Sequence, residues 1–187
     1  MPKIIIGLIG ELAAGKGTVT NYLKDNHQAV SFRFSDTLRE TLNIFNLDIS
    51  RENMQNISTL LRVNFGENIL AKAIAKKVRI SDQNLIIIDG VRRHTDLENL
   101  NDLPDFHLIY VTADQKIRHE RYIKRNENIG DDKITFAEFK TKEQAEADRQ
   151  IPEVAKSAHH RIDNNGSFNE LYQQIEAIIQ KINENQS

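Results

Sequence analysis

The sequence contains no cysteine. That excludes a disulfide framework, a thiolate metal site and a cysteine nucleophile, and it matches a reducing compartment. A charge imbalance is missing too: 25 basic against 27 acidic residues leave a formal charge of −2. The broad basic field of a non-specific nucleic-acid binder is therefore absent, and any anion site has to be local. Long hydrophobic runs are also wanting, since the longest early one, Ile4 to Ile9, is shorter than a signal core or a membrane span. The six histidines show no metal-ligand spacing, and neither an internal repeat nor a linker divides the chain. The expectation is a cytoplasmic protein of one domain, residues 1–187, with no nucleic-acid or membrane partner, either a monomer or a homodimer.

What the chain does have is apolar runs of strand length. Lys3 to Ile9, Asn84 to Asp89 and His107 to Thr112 lack polar alternation, as strands buried on both faces do. Two more strands are expected at Ala29 to Phe34, where apolar and polar positions alternate, and at His159 to Asp163. Between them Ile57, Leu60, Leu61, Ile69, Leu70, Ala73 and Ile74 recur at helical spacing, as do Phe168, Leu171, Tyr172, Ile175, Ile178, Ile179 and Ile182. The order predicted is β-α-β-α-α-β-α-β-α-β-α, a three-layer α/β/α sandwich with a mostly parallel five-stranded sheet. Residues 126–148 stand apart as a polar stretch around Gly130-Asp131-Asp132, expected to be a solvated, lid-like excursion.

The first strand runs into Gly10-Glu11-Leu12-Ala13-Ala14-Gly15-Lys16-Gly17-Thr18, followed by Val19, Tyr22 and Leu23 at helical spacing. A strand, a glycine-bounded loop and a helix in that order form a phosphate-binding loop. The chemistry asks for these residue types because backbone N–H groups converge on a polyphosphate only where glycines let the chain curl tightly. The helix N-terminus adds its unsatisfied amides and dipole, and the Lys16 ammonium can follow charge on the β- and γ-phosphates. Two turn glycines and a solvated lysine are the plain alternative, which the flanking strand and helix disfavour. In the general pattern a Ser or Thr follows the lysine and holds Mg2+; here Gly17 intervenes before Thr18.

The ending Gly15-Lys16-Gly17-Thr18 resembles the adenylate kinase branch of the nucleoside monophosphate kinases, and further segments match. Phe34-Ser-Asp36-Thr-Leu38-Arg39 is similar to the segment in which an arginine binds the acceptor's phosphate. Asp89-Gly90-Val91-Arg92-Arg93 resembles the family's Asp-Gly-x-x-Arg, which implies Asp89 near Mg2+ with Thr18 and either Arg92 or Arg93 on the acceptor. Arg121 and Arg125 resemble the arginines that enter the lid and clamp the transferring phosphoryl group, with Arg118 on the same helix and Arg149 as the returning one. Asp163-Asn-Asn165-Gly166-Ser167 looks like the loop beside the adenine. Over nearly its full length the chain looks closer still to short adenylate kinase-like and dephospho-CoA kinase-like proteins, best known from archaea.

The resemblance implies a P-loop kinase using ATP and Mg2+, with Gly10, Ala13, Ala14, Gly15, Lys16, Gly17, Thr18, Asn165 and Gly166 on the nucleotide. Its acceptor would be a small nucleotide-like molecule, foremost a nucleoside or deoxynucleoside monophosphate, bound under helices at about residues 36–80 by Asp36, Arg39, Arg62, Arg92 and Arg93. Lys16, Arg121, Arg125 and Asp36 would carry the chemistry, Asp36 serving as a base toward a hydroxyl or else as a helix N-cap. Each arginine taken alone is equally a solvated helix residue or a surface ion pair. The alternatives are a dephospho-CoA kinase-like enzyme and a nucleotide-binding ATPase or regulator. A GTPase would need an Asn-Lys-x-Asp segment, which is missing.

Overall fold

The computed structural model describes residues 3–125, 131–144 and 149–185. Its strands are β1 (Ile4–Ile9), β2 (Val30–Arg33), β3 (Leu85–Asp89), β4 (Phe106–Thr112) and β5 (His160–Asp163). The helices are α1 (Lys16–His27), α2 (Phe34–Ile44), α3 (Arg51–Phe65), α4 (Ile69–Ile80), α5 (His94–Leu100), α6 (Gln115–Arg125), α7 (Phe136–Glu143), α8 (Ile151–Val154) and α9 (Phe168–Glu184). The strands form one sheet in the order β2-β3-β1-β4-β5, every pairing parallel. The three-layer sandwich of a P-loop NTPase is what the chain adopts.

The apolar runs of β1 and β3 follow from burial on both faces. Ile5 and Ile9 enter one core while Ile4, Ile6 and Leu8 enter the other. Gly7 interrupts the run because a Cβ there would lie 2.7 Å from the Phe106 ring on β4. One core is closed by α1 and α9 through Val19, Leu23, Leu171, Ile175 and Ile182. The other is closed by α2, α4, α5 and α8. Each such fully buried side chain contributes about 1.5–3 kcal/mol relative to exposure. Helix α9 starts at a capping box, Ser167 Oγ accepting from Glu170 N while Glu170 Oε2 accepts from Ser167 N at 2.7 Å.

Three expectations need correction. The apolar stretch from Ile57 to Ile74 is two helices, not one, so three helices separate β2 from β3. The chain breaks at Gly66, whose φ of 98° ends α3, and Leu60, counted on the apolar face, is 53% exposed. Phe34 begins α2 rather than ending β2, which places Asp36 inside the first turn; the N-cap position belongs to Arg33. The 126–148 excursion is not wholly solvated, because Phe139 on α7 is fully buried and packs on the rings of His119 and Tyr122 of α6. Its residues 126–130 and 145–148 lie outside the described residues.

Candidate active site

The loop after β1 curls through two left-handed residues, Ala13 at φ 59° and Gly15 at φ 104°. For alanine that conformation costs about 1–2 kcal/mol, so the surroundings must hold it. Ala14 is fully buried, and its carbonyl accepts Asn164 Nδ2 at 2.8 Å. A side chain at Gly15 would meet that same amide at 2.1 Å, and one at Gly10 would meet the Val111 carbonyl at 2.2 Å. Gly17, by contrast, faces open space. The loop is thus clamped against β4 and the β5–α9 turn on one side and open on the other.

Helix α1 begins at Lys16 with no acidic residue in its first turn and no side-chain cap, so the helix itself supplies nothing negative at its positive end. Lys16 Nζ folds back onto the carbonyls of Gly10 and Glu11, and Thr18 N bonds the Gly15 carbonyl at 3.0 Å. Asp89 pairs in register with Leu8, at the end of the strand beside β1. Its carboxylate lies 3.5 Å from Arg33 Nε and caps no helix. An open loop with a helix dipole and a lysine suits a polyphosphate, and a carboxylate on the neighbouring strand suits its counter-ion. Among the described residues no cluster of three or more His, Asp or Glu could hold a metal by itself, so any Mg2+ would need phosphate oxygens as further ligands.

The β5–α9 turn supports this loop. Asn165 Oδ1 accepts Asp114 N at 2.7 Å, and Gly166 leaves room for Glu170, which a Cβ would approach to 2.2 Å. The residue that touches the phosphate loop is their neighbour Asn164, only 6% exposed. Sequence reading passed over it, although a polar residue directly after a strand and before Asn-Gly-Ser was a usable signal. Glu11 was also passed over. Its Oε1 accepts the Tyr110 hydroxyl at 2.5 Å, and burial, then that carboxylate, pushes the phenol up.

Among the residues expected to meet an acceptor, Arg39 donates to Asp36 Oδ1 at 2.8 Å and to Ser35 Oγ at 2.9 Å along one face of α2. Arg62 and Arg93 come together across the α3–α4 turn through Glu67, whereas Arg92 is exposed. Beneath them Asp96, 2% exposed, accepts the backbone amides of both Arg92 and Arg93 at 3.1 Å. Burial raises the Asp96 carboxyl against those amides and Arg62, and burial likewise lowers the Arg62 guanidinium. Both directions express one fact, that each group has lost water on burial, which disfavours its charged form.

On α6 the arginines divide. Arg118 is buried and donates to the Ala113 carbonyl at 2.9 Å, to the Leu12 carbonyl of the loop at 3.1 Å and to the Glu143 carboxylate at the end of α7. Gln115 secures the other Glu143 oxygen at 2.6 Å. The arginine that the fold brings to the phosphate loop is therefore Arg118, acting as a strut. Arg121 holds a buried Nη1 without a hydrogen-bond partner among the described residues, and burial lowers its guanidinium. Arg125 lies over the Tyr122 ring at 5.8 Å, and Arg149 turns back to the Gln144 carbonyl at 3.3 Å.

A family model described as an AAA domain matches residues 10–140, from the phosphate loop to α7. The chain belongs to that family. Its relatives include archaeal proteins named UPF0200 protein. That of Pyrococcus horikoshii is 28% identical over 186 residues, 96% of this chain and 97% of its own. The UPF0200/UPF0201 protein of Archaeoglobus fulgidus is 24% identical over 185 residues, and the chain spans 56% of that protein's length. Among solved structures, shikimate kinase from Bacteroides thetaiotaomicron superposes with a TM-score of 0.61 at 15% identity over 97% of each chain. A gluconokinase from Sinorhizobium meliloti gives 0.56 at 11%, over 98% of this chain and 95% of its own. At such identities the likeness is one of fold, a P-loop kinase fold. Among the described residues no helix is long and apolar enough to cross a membrane.

Proposed function

We propose that the protein is an ATP-dependent phosphotransferase acting on a small nucleotide-like acceptor, foremost a nucleoside or deoxynucleoside monophosphate. The observation that carries this reading is the phosphate loop. Ala13 and Gly15 are turned left-handed, Asn164 clamps the far side, and the near side opens at Gly17 onto an uncapped helix N-terminus. Only an anion with several acceptor oxygens uses all of that.

Gly10, Ala13, Ala14, Gly15, Lys16, Gly17 and Thr18 would hold the ATP phosphates, with Asn165 and Gly166 near the base. Thr18 and Asp89 would hold Mg2+, which would supply neutralisation of phosphate charge. The chain's own work is positioning and electrostatics, since phosphoryl transfer asks little covalent help of the protein. Lys16 exchanges its contacts to the Gly10 and Glu11 carbonyls for phosphate oxygens. Arg39, Arg62 and one or both of Arg92 and Arg93 orient the acceptor, and Arg121 and Arg125 balance charge from the α6 side. The buried, unpartnered Nη1 of Arg121 supports that assignment.

The test is ADP release measured over a panel of nucleoside monophosphates, nucleosides, dephospho-CoA and small hydroxy acids, with Lys16→Ala as the control. Acceptor-stimulated ADP release that vanishes in the control is the expected result. Hydrolysis at one rate with every acceptor would instead favour a nucleotide-binding regulator. A dephospho-CoA kinase-like activity is the second reading, favoured by the Asp36 carboxylate on the first turn of α2, which Arg39 holds in place. For that activity Asp36→Asn should remove turnover, whereas for a monophosphate acceptor Arg39→Gln should matter more.

A further inference from the structure

Between two of the proposed acceptor arginines the protein already holds an anion of its own. Glu67 Oε2 lies 2.8 Å from Arg93 Nη1 and 3.9 Å from Arg62 Nη1. The two guanidinia are withdrawn from water, with side-chain exposures of 17% and 9%, while the Glu67 side chain is 54% exposed. Arg62 is fixed by its bond to the Glu67 backbone carbonyl and by Asp96 Oδ1, 3.7 Å from its Nη2. Asp96 in turn is fixed by the amides of Arg92 and Arg93. Arg62 is still not fully satisfied, for its Nε has no hydrogen-bond partner among the described residues, and neither has Asp96 Oδ1. Two cations and one anion are therefore held within the fold, whereas the second anion sits on a side chain that is more than half exposed.

We propose that Glu67 is a stand-in anion, occupying the place between Arg62 and Arg93 that the phosphate or carboxylate group of the acceptor takes when it binds. The inference deepens the acceptor half of the proposed function and rests on it. Glu67 and an anionic acceptor would compete for the same two guanidinia, whereas a neutral alcohol could not replace the charge that Glu67 supplies there. Glu67 thereby sets a threshold, rejecting acceptors without an anionic group.

The test measures binding rather than turnover. NMR-monitored titration of inorganic phosphate, and separately of acetate, is carried out on the Lys16→Ala protein, on the same protein with Glu67→Gln, and on that protein with Arg93→Gln added. Lys16→Ala weakens anion binding at the phosphate loop. Glu67→Gln is expected to tighten one of the two anions about fivefold, the weight of a partly exposed ion pair, and Arg93→Gln to abolish the gain. A gain confined to phosphate assigns a phosphorylated acceptor; a gain confined to acetate assigns a carboxylate. Unchanged or weaker binding of both anions, with the melting temperature unchanged, overturns the proposal. If the gain appears but no acceptor stimulates ADP release, the anion site stands while the kinase reading falls; if acceptors stimulate release but no gain appears, Glu67 alone loses its role.

Discussion

Around the phosphate loop, position is set by backbone: left-handed turns at Ala13 and Gly15, a buried Ala14 and a carbonyl held by Asn164. Around the acceptor arginines it is set by side chains reaching between helices, Arg62 and Arg93 to Glu67 and Asp96, and Arg39 to Asp36. The first half is anchored in the central strands, where hardly any atom can move. The second hangs on α2, α3 and the start of α5, and of these α2 and α3 expose Ile44, Leu60 and Val63. Under the proposed phosphotransferase reading a common donor and a variable acceptor would call for that division, since backbone cradles recognise any phosphate chain whereas side-chain pairs can be re-chosen for each acceptor.

The largest effect that could break the comparison belongs to the donor half. Lys16→Ala should lower acceptor-dependent turnover at least about 100-fold while shifting the melting temperature by no more than about 2 °C. Near-normal turnover would remove the loop from the chemistry. Next comes the strut that ties α7 to the loop. Glu143→Ala leaves Arg118 buried without its carboxylate and should cost about 3 kcal/mol in urea denaturation; a loss under about 1 kcal/mol would show that α7 is held without the strut. Smaller again, Asn164→Ala orphans the Ala14 carbonyl and should cost about 1–3 kcal/mol, together with weaker binding of an ATP analogue by calorimetry. If affinity held while stability fell, the loop would not need its clamp to keep its shape.

The smallest effect lies outside both halves, at the β5 edge. Burial, and then the neighbouring His107, hold the imidazoles of His159 and His160 below the ordinary histidine value, and His159 Nδ1 accepts Leu108 N at 2.8 Å, which requires it neutral. Because the unfolded chain takes up these protons first, this share of stability is present above a pH of about 6.5 and is lost as pH falls below it toward the lowered values. Solvent at His159 keeps the effect modest. The melting temperature should fall by about 2 °C more between pH 7.5 and pH 5.5 than in a protein carrying His159→Gln and His160→Gln. An equal fall in both would move the pH sensitivity elsewhere.

The phosphate loop was readable from the chain because its parts are contiguous, a strand, a glycine-bounded turn and a helix within Ile4–His27. The same holds for β1, β3 and β4, whose apolar runs mark strands buried on both faces. Arg118 was not readable as a strut, since its partners Leu12 and Glu143 are far away in sequence. Nor was Glu67, an ordinary acidic residue until Gly66 ends α3 and turns it toward Arg93.

Local chemistry alone thus determined the sheet, the layers of helices and the nucleotide loop, because periodicity and backbone freedom are properties of neighbouring residues. The tertiary structure alone decided that Arg118 ties the loop to α7 and that Glu67 and Asp96 lie against Arg62 and Arg93. A charged side chain has no assigned partner until folding has removed water from around it, and that withdrawal is made by residues from the whole chain.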